Sequence, residues 1–207
     1  MNKVTIYGIP MSRAFRAMWA CKELGIDFDN VKIGFADGSN KTAEYLAVNP
    51  NGRVPALKDG NLTLFESLAI CLYLAKKQGG PLYPKTLEGE ALTWQWTLWS
   101  VNELEKHLVP IFLHSRILPE DKRNPAVVAE AKEAIKQPLG VLNAHLAKSN
   151  YLLGDAFTIA DLNLAGVMLT TVTQKLIDIA PYPQIDAWVK RITARPALAE
   201  AMKLRQA

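Results

Sequence analysis

The sequence predicts a small α/β unit followed by an all-helical domain. Three observations carry that reading. Strand and helix patterns alternate over residues 1–79, a Gly/Pro-rich stretch (Gly79, Gly80, Pro81, Pro84) interrupts them, and the apolar spacing beyond it is almost entirely helical. The expected organisation is therefore residues 1–79, a linker at 80–88 and a helical domain at 89–207. A chain of 207 residues, 49% hydrophobic and 21% charged, is enough for two small cores and is incompatible with extended disorder. The apolar run at 164–169 falls far short of the ~18 residues that a membrane span needs.

Residues 4–7 are β-branched and aromatic and stop at Gly8-Ile9-Pro10, the pattern of a strand followed by a break. Ser12 precedes an apolar-periodic run at 13–24 closed by Gly25, so Ser12 is a candidate N-cap. A short strand is expected at 31–33, a short helix at 42–47 and a turn at Asn49-Pro50-Asn51-Gly52. Strands at 54–58 and 62–65 flank Asp59-Gly60, a hairpin signal. Glu66-Ser67 opens a helix at 68–77. Beyond the linker, Thr86 caps a long helix with Glu88 and Glu90 in its first turn, and Pro110 is expected to kink or end it. A helical stretch at 125–148 is interrupted by Pro138. Thr158 and Asp161 have the spacing of a capping box, and helices at 185–193 and 197–204 finish the chain around Pro196.

The net charge of +4 raises the question of a polyanion. It divides into +3 over residues 1–79, −3 over 80–187 and +4 over 188–207, and no segment is a dense basic run interleaved with aromatics. A nucleic-acid footprint is therefore not expected, and a small anion near the first segment is the better partner. The last twenty residues read as a solvated helical tail. Two cysteines do not make a disulfide framework or a zinc site, which points to a reducing cytoplasm.

Three features could carry chemistry. Ser12 sits where helix amides and the positive end of the helix dipole converge, so it is either a plain cap or a donor to a bound thiolate, with Arg16 one turn on adding positive potential. Val54-Pro55 removes a ladder N–H and leaves the Val54 backbone to pair with an extended ligand, although on the residues alone the bond is expected to be trans. Glu66-Ser67 combines a carboxylate for an ammonium group with a hydroxyl and helix amides for a carboxylate, or is a capping residue beside a solvated acid. Cys21 and Cys71 lie on apolar helical stripes, and Cys21 is ~13.5 Å along the helix from Ser12, too far to act there. His107, His114 and His145 lack metal-ligand spacing. Trp94, Trp96 and Trp99 read as helix packing, with Trp99 and Asn102 free to face a cleft.

Four stretches together resemble the cytosolic glutathione S-transferases. They are Tyr7-Gly8-Ile9-Pro10-Met11-Ser12 with Arg16, the run from Tyr45 through Asn49-Pro50-Asn51-Gly52-Arg53-Val54-Pro55 to Leu57, Leu64-Phe65-Glu66-Ser67-Leu68-Ala69-Ile70, and Phe157-Thr158-Ile159-Ala160-Asp161-Leu162. The closest resemblance is to the Ser-type, phi/theta-like members found in bacteria. It implies a thioredoxin-like amino-terminal domain, an all-helical carboxy-terminal domain and a cytoplasmic homodimer. It also implies conjugation of glutathione, as co-substrate, to an electrophilic and mostly apolar partner in detoxification. No metal or prosthetic group is implied. In that frame Ser12 activates the thiol in preference to Tyr7, supported by Arg16, and Val54-Pro55 is a cis-proline corner. Asn40, Lys41, Arg53, Val54, Glu66 and Ser67 contact glutathione, and Ile9, Met11, Trp99 and Asn102 face the second substrate. Asn40 stands where many Ser-type members have His, and Arg53 where Gln or Lys is frequent. The alternatives on the same fold are a glutathione-dependent reductase, peroxidase or dehalogenase, and a non-catalytic dimerisation or ligand-binding module.

Overall fold

A computed structural model describes residues 3–206. The chain forms two compact units. The first holds the residues up to Tyr83 together with those from Thr193 onward, and the second holds Pro84–Ile192.

In the first unit, β1 (Val4–Tyr7), α1 (Ala14–Leu24), β2 (Phe28–Val31), α2 (Ala43–Val48), β3 (Ala56–Asp59), β4 (Leu62–Phe65) and α3 (Ser67–Gln78) follow in chain order. The sheet order is β2-β1-β3-β4. β1 runs parallel to β2, pairing Val4 with Phe28 and Tyr7 with Val31, and antiparallel to β3, pairing Tyr7 with Ala56. The second strand lies three residues earlier than the apolar Val31–Ile33 pattern suggests, because the parallel register with β1 fixes Phe28 opposite Val4. Val4 and Ile6 alternate inward on β1 with the more accessible Thr5 and Tyr7. The helices α1 and α3 pack against each other through the buried side chains Ala14, Ala17, Met18 and Cys21 on one and Ile70, Cys71 and Leu74 on the other.

The final helix of the chain, α10 (Pro196–Lys203), packs on α1. This corrects the expectation of a solvated tail. Leu198 and Ala201 are buried, and Arg195 grips Glu23 with two hydrogen bonds of 2.8 and 2.7 Å. Glu23 also accepts from the Trp19 indole at 3.0 Å, so one carboxylate serves both helices.

The second unit begins with α4 (Leu87–Trp99), whose first-turn amide of Gly89 donates to the Thr86 hydroxyl at 3.1 Å. The helix is not ended by Pro110. It continues through a π-helical stretch, Ser100–Glu105, into α5 (Lys106–Phe112), where Pro110 is accommodated, and then through a second π-helical stretch, Leu113–Ile117. Wide turns of this kind bracket the position where the proline removes an N–H. Pro138 likewise lies inside a helix, α7 (Lys136–Leu146), in its first turn, where the missing donor would be unpaired in any case. The break falls instead at Ile135, between α7 and α6 (Pro125–Ala134).

The folding centre of this unit is Asp161, in the first turn of α8 (Ile159–Thr173). Its carboxylate is fully buried and accepts four hydrogen bonds: from the Thr158 amide (3.0 Å), the Thr158 hydroxyl (3.1 Å), the Leu152 amide (2.9 Å) and the indole of Trp188 (2.9 Å) on α9 (Pro183–Thr193). The expected capping box is present, and it also ties the preceding turn and the next helix to α8. Burial pushes the Asp161 carboxyl pKa up, against the pull of these donors.

Two outcomes follow for stability. Asp161→Ala leaves buried donors unpaired, and the denaturant midpoint should fall by the equivalent of about 3 kcal/mol or more, several times the effect of an exposed substitution such as Asp155→Ala. In the first unit, Asp59 at the end of β3 accepts from the Tyr73 hydroxyl (2.8 Å) and from the Lys77 ammonium on α3. The hydrogen bond from Lys77 holds the Asp59 carboxyl below the usual carboxylate range. A carboxyl whose pKa is depressed on folding adds stability above its unfolded value, about 3.9, and loses it as pH falls through the folded value. Thermal melts of Asp59→Asn should therefore show a shallower loss of stability below about pH 4 than the parent chain.

Candidate active site

At the carboxyl end of β1 the chain makes a turn that only glycine can occupy. Gly8 has φ +136°, and a Cβ on it would come within 2.7 Å of the Ala14 Cβ, 3.3 Å of the Val54 Cβ and 3.5 Å of the Ser12 hydroxyl oxygen. Its own backbone is held on both sides, because its amide donates to the Val31 carbonyl at 2.9 Å and its carbonyl accepts from the Asn30 side chain at 2.8 Å. Asn30 also donates to the Ile6 carbonyl at 3.0 Å, pinning the last turn of the strand.

The loop then closes on itself. The Ile9 carbonyl accepts both the Ser12 amide (3.0 Å) and the Ser12 hydroxyl (2.7 Å). The same hydroxyl oxygen accepts from the Ala14 amide at 3.1 Å, and the Ser12 carbonyl accepts from the Phe15 amide at 3.1 Å. The first helical residue is Ala14 and the flanking position is Arg13, one residue later than the expected cap. Ser12 nonetheless satisfies one of the free amides of the helix start, and its half-buried hydroxyl sits where those amides converge. Met11 beside it is 65% exposed, and Ile9 is half-buried. Tyr7, half-buried on β1, has its ring centroid 6.2 Å from that of Tyr45.

Arg16, in the first turn of α1, is only 6% exposed, and its guanidinium donates to the Ser67 hydroxyl at 3.1 Å. A buried cation on α1 is thus joined to the first residue of α3. The residue before it, Glu66, is exposed and has φ +72°, a conformation that costs a non-glycine residue about 1 kcal/mol or more and turns the chain sharply from β4 into the helix. Its carbonyl still receives the Ile70 amide at 3.0 Å.

The third side of the site is the 49–55 turn. The Val54–Pro55 bond is cis, as the family resemblance implied and against the expectation from the residues alone. The Arg53 carbonyl is clamped by the Tyr45 hydroxyl and the Asn49 side chain, each at 2.6 Å. Asn40, 8% exposed, donates from its side-chain amide to the Gly52 carbonyl at 2.8 Å. The Lys41 ammonium lies over Gly52, where an added Cβ would meet it at 2.7 Å. Lys41 and Arg53 are both exposed. Trp99, half-buried at the end of α4, and the exposed Asn102 in the first π-helical stretch belong to the second unit.

The structure thus brings Ser12 and Val54 together around Gly8 and joins Arg16 to Ser67, through supports that the sequence reading did not name. Gly8 carried a signal, a glycine directly after a strand and two residues before a proline. Asn30, Tyr45 and Asn49 carried none, since their roles arise from long-range register and from the pairing of a side chain with a distant carbonyl. The protein's own thiols are buried and un-ionised. Burial pushes the Cys21 thiol up to about 12 and the Cys71 thiol higher still, so neither is a thiolate near neutral pH. Among the described residues no group of His, Cys, Asp and Glu is placed to hold a metal ion.

Comparison with known proteins bears on this arrangement. The family model for the glutathione S-transferase N-terminal domain matches residues 2–76, and that for the C-terminal domain matches residues 102–196. The chain is 36% identical to glutathione S-transferase 1 of Zea mays over 209 residues, covering 99% of this chain and 98% of that protein. Among solved structures it is similar to glutathione S-transferase I from maize in complex with an atrazine glutathione conjugate, with TM-score 0.88, 35% identity and 99% of each chain covered. It is also similar to a theta-class glutathione S-transferase from Xanthomonas axonopodis pv. citri with glutathione bound, with TM-score 0.88, 32% identity and 97% of each chain covered. With both domain models matched in sequence order and likeness extending over the whole length, the chain belongs to the glutathione S-transferase family.

Proposed function

We propose that the protein conjugates glutathione to electrophilic, mostly apolar substrates, with the Ser12 hydroxyl as the group that stabilises the glutathione thiolate. The observation that carries this assignment is the placement of Ser12, whose hydroxyl lies at the helix start 3.1 Å from the Ala14 amide and 2.7 Å from the Ile9 carbonyl. Rotation of its O–H from that carbonyl to a bound sulfur exchanges a neutral hydrogen bond for a charge-assisted one, while the Ala14 amide continues to donate to the oxygen and polarises it. The thiol pKa falls, the thiolate fraction near neutral pH rises, and the sulfur attacks the electrophile and releases its leaving group. A solved relative with an atrazine glutathione conjugate supports this reaction class.

Glutathione lies extended in this reading. Its cysteinyl backbone pairs with Val54, and its γ-glutamyl carboxylate meets the Ser67 hydroxyl and the amides of the α3 start. Glu66 receives the γ-glutamyl ammonium, and Lys41 and Arg53 meet the glycyl carboxylate. Asn40 acts by holding the Gly52 carbonyl, and so the turn carrying Arg53 and Val54. The Arg16 guanidinium orients the Ser67 hydroxyl and adds positive potential between the two sites. The exposed Met11 and the neighbouring Ile9 offer apolar surface to the second substrate beside Ser12. We also infer a homodimer acting in the cytoplasm. Large apolar side chains left open in each unit support the dimer, Phe65 in the first and Trp94 and Leu98 in the second. Sedimentation at micromolar concentration should give twice the chain mass.

Two measurements test the assignment. Ser12→Ala should lower kcat/KM for an aryl halide by about 10- to 150-fold, the worth of a hydrogen bond to a charged group. It should also move the bound thiol pKa, read from thiolate absorbance, toward that of free glutathione. Tyr7→Phe should leave both within about twofold, and the reverse pattern would transfer the role to Tyr7. Glu66→Gln should raise KM for glutathione by about tenfold with kcat little changed, because it removes binding shared by ground and transition states.

A further inference from the structure

Within the Ser12 loop the Ser12 amide and hydroxyl both close on the Ile9 carbonyl, but these bonds leave the Pro10 carbonyl without a partner inside the loop. Met11 is largely exposed, and beside Pro10 lies a cleft of about 130 Å³ lined by Pro10, Met18, Phe28, Asn30, Lys32 and Leu204. The Pro10 carbonyl, in the middle of the Ile9–Ser12 turn, takes its hydrogen bond from outside the loop.

That restraint comes from the far end of the chain. Arg205, two residues beyond α10, donates from Nε to the Pro10 carbonyl at 3.2 Å, and its guanidinium carbon lies 3.8 Å from the centre of the Phe15 ring. These two contacts fall on either side of Ser12: Pro10 is two residues before it, and the Phe15 amide bonds the Ser12 carbonyl. The proline ring fixes φ at residue 10, and a hydrogen bond to its carbonyl adds a restraint on ψ to that of the Ser12–Ile9 turn bond, and so on the direction in which the chain enters Met11 and Ser12. The cation over the buried Phe15 ring keeps Arg205 in place. The tail that delivers it is anchored independently on α1 by the Arg195–Glu23 pair and the buried Leu198 and Ala201.

We propose that Arg205 is a positioning residue for the reaction: through the Pro10 carbonyl it sets the turn that aims the Ser12 hydroxyl at the glutathione sulfur. It touches neither sulfur nor electrophile. The inference rests on the assignment of Ser12 as the thiolate donor, and the experiment separates the two.

Arg205→Met keeps the bulk over Phe15 and removes the donor, whereas Arg205→Lys keeps a cationic donor. Arg195→Ala loosens the other anchor of the tail without touching the loop. Each is compared with Ser12→Ala for the bound thiol pKa, and for kcat and KM with glutathione, with melting curves confirming folding. Arg205→Met is expected to raise the bound thiol pKa and lower kcat about fivefold while KM for glutathione stays near the parent value. Arg205→Lys should recover most of the loss, and Arg195→Ala should lower Tm while leaving the thiol pKa in place. The proposal is overturned if Arg205→Met leaves thiol pKa and kcat unchanged while Ser12→Ala moves them, or if Arg195→Ala shifts the thiol pKa as much as Arg205→Met does. It is also overturned if Arg205→Lys recovers nothing. If Ser12→Ala itself leaves the thiol pKa in place, the Ser12 assignment fails and this inference fails with it.

Discussion

The first unit is organised around a missing side chain. At Gly8 three segments meet: the start of α1 at Ala14, closer than any Cβ would permit, the turn at Val54, in tight contact, and the hydroxyl of Ser12. A strand end, a helix start and a proline corner are drawn to one point by that approach. The backbone left bare there is exchanged for hydrogen bonds, with Val31 and Asn30 taking both polar groups of Gly8. Loop, helix dipole and Val54 backbone share one small volume because residue 8 has no side chain to keep them apart. Any larger residue would have to push the start of α1 at Ala14 away from the strand end.

Around that point, charge is distributed by depth. Arg16 is buried and committed to Ser67, so its field is weakly screened and constant. Lys41 and Arg53 are exposed and form an outer ring whose pull on an anion weakens with salt. The cysteines lie deeper, in apolar packing that keeps them neutral, and so do not compete with a ligand thiol for the polar groups of the loop. Among the ten basic side chains of residues 1–79, Arg16 is thus buried on Ser67 while Lys41 and Arg53 are open to solvent.

Local chemistry was legible in the sequence wherever one residue type does one local job. The Asp59-Gly60 hairpin, the Thr158–Asp161 capping box and the serine ahead of α1 were all visible as short patterns. Long-range roles were not. Nothing in the spacing of Asn30 marks a residue that clamps two carbonyls of another strand, and Asp161 read as a local cap although it also bonds an indole 27 residues on. Prolines misled in the second unit, because single-residue rules predict breaks at Pro110 and Pro138. A π-helical surrounding and a first-turn position accommodate them instead. The charged tail misled most. Its cationic count suggested solvation, whereas the placement of Arg195 and Arg205 depends on a carboxylate and a carbonyl near the other end of the chain.

The grouping of the last residues with the first unit has a consequence for synthesis. A chain emerging from the ribosome presents β1, α1 and α3 early, but the helix that covers α1 is translated only after all of residues 84–192. Until then Glu23 holds the Trp19 indole but not Arg195, and the apolar side of α1 that later receives Leu198 and Ala201 is open to water. The amino-terminal segment therefore waits for residues far along the chain, and the Pro10 carbonyl in the loop bearing Ser12 gains its partner only once Arg205 is made. A chain cut just before Pro196 would keep most of both units while leaving α1 without the helix that covers it.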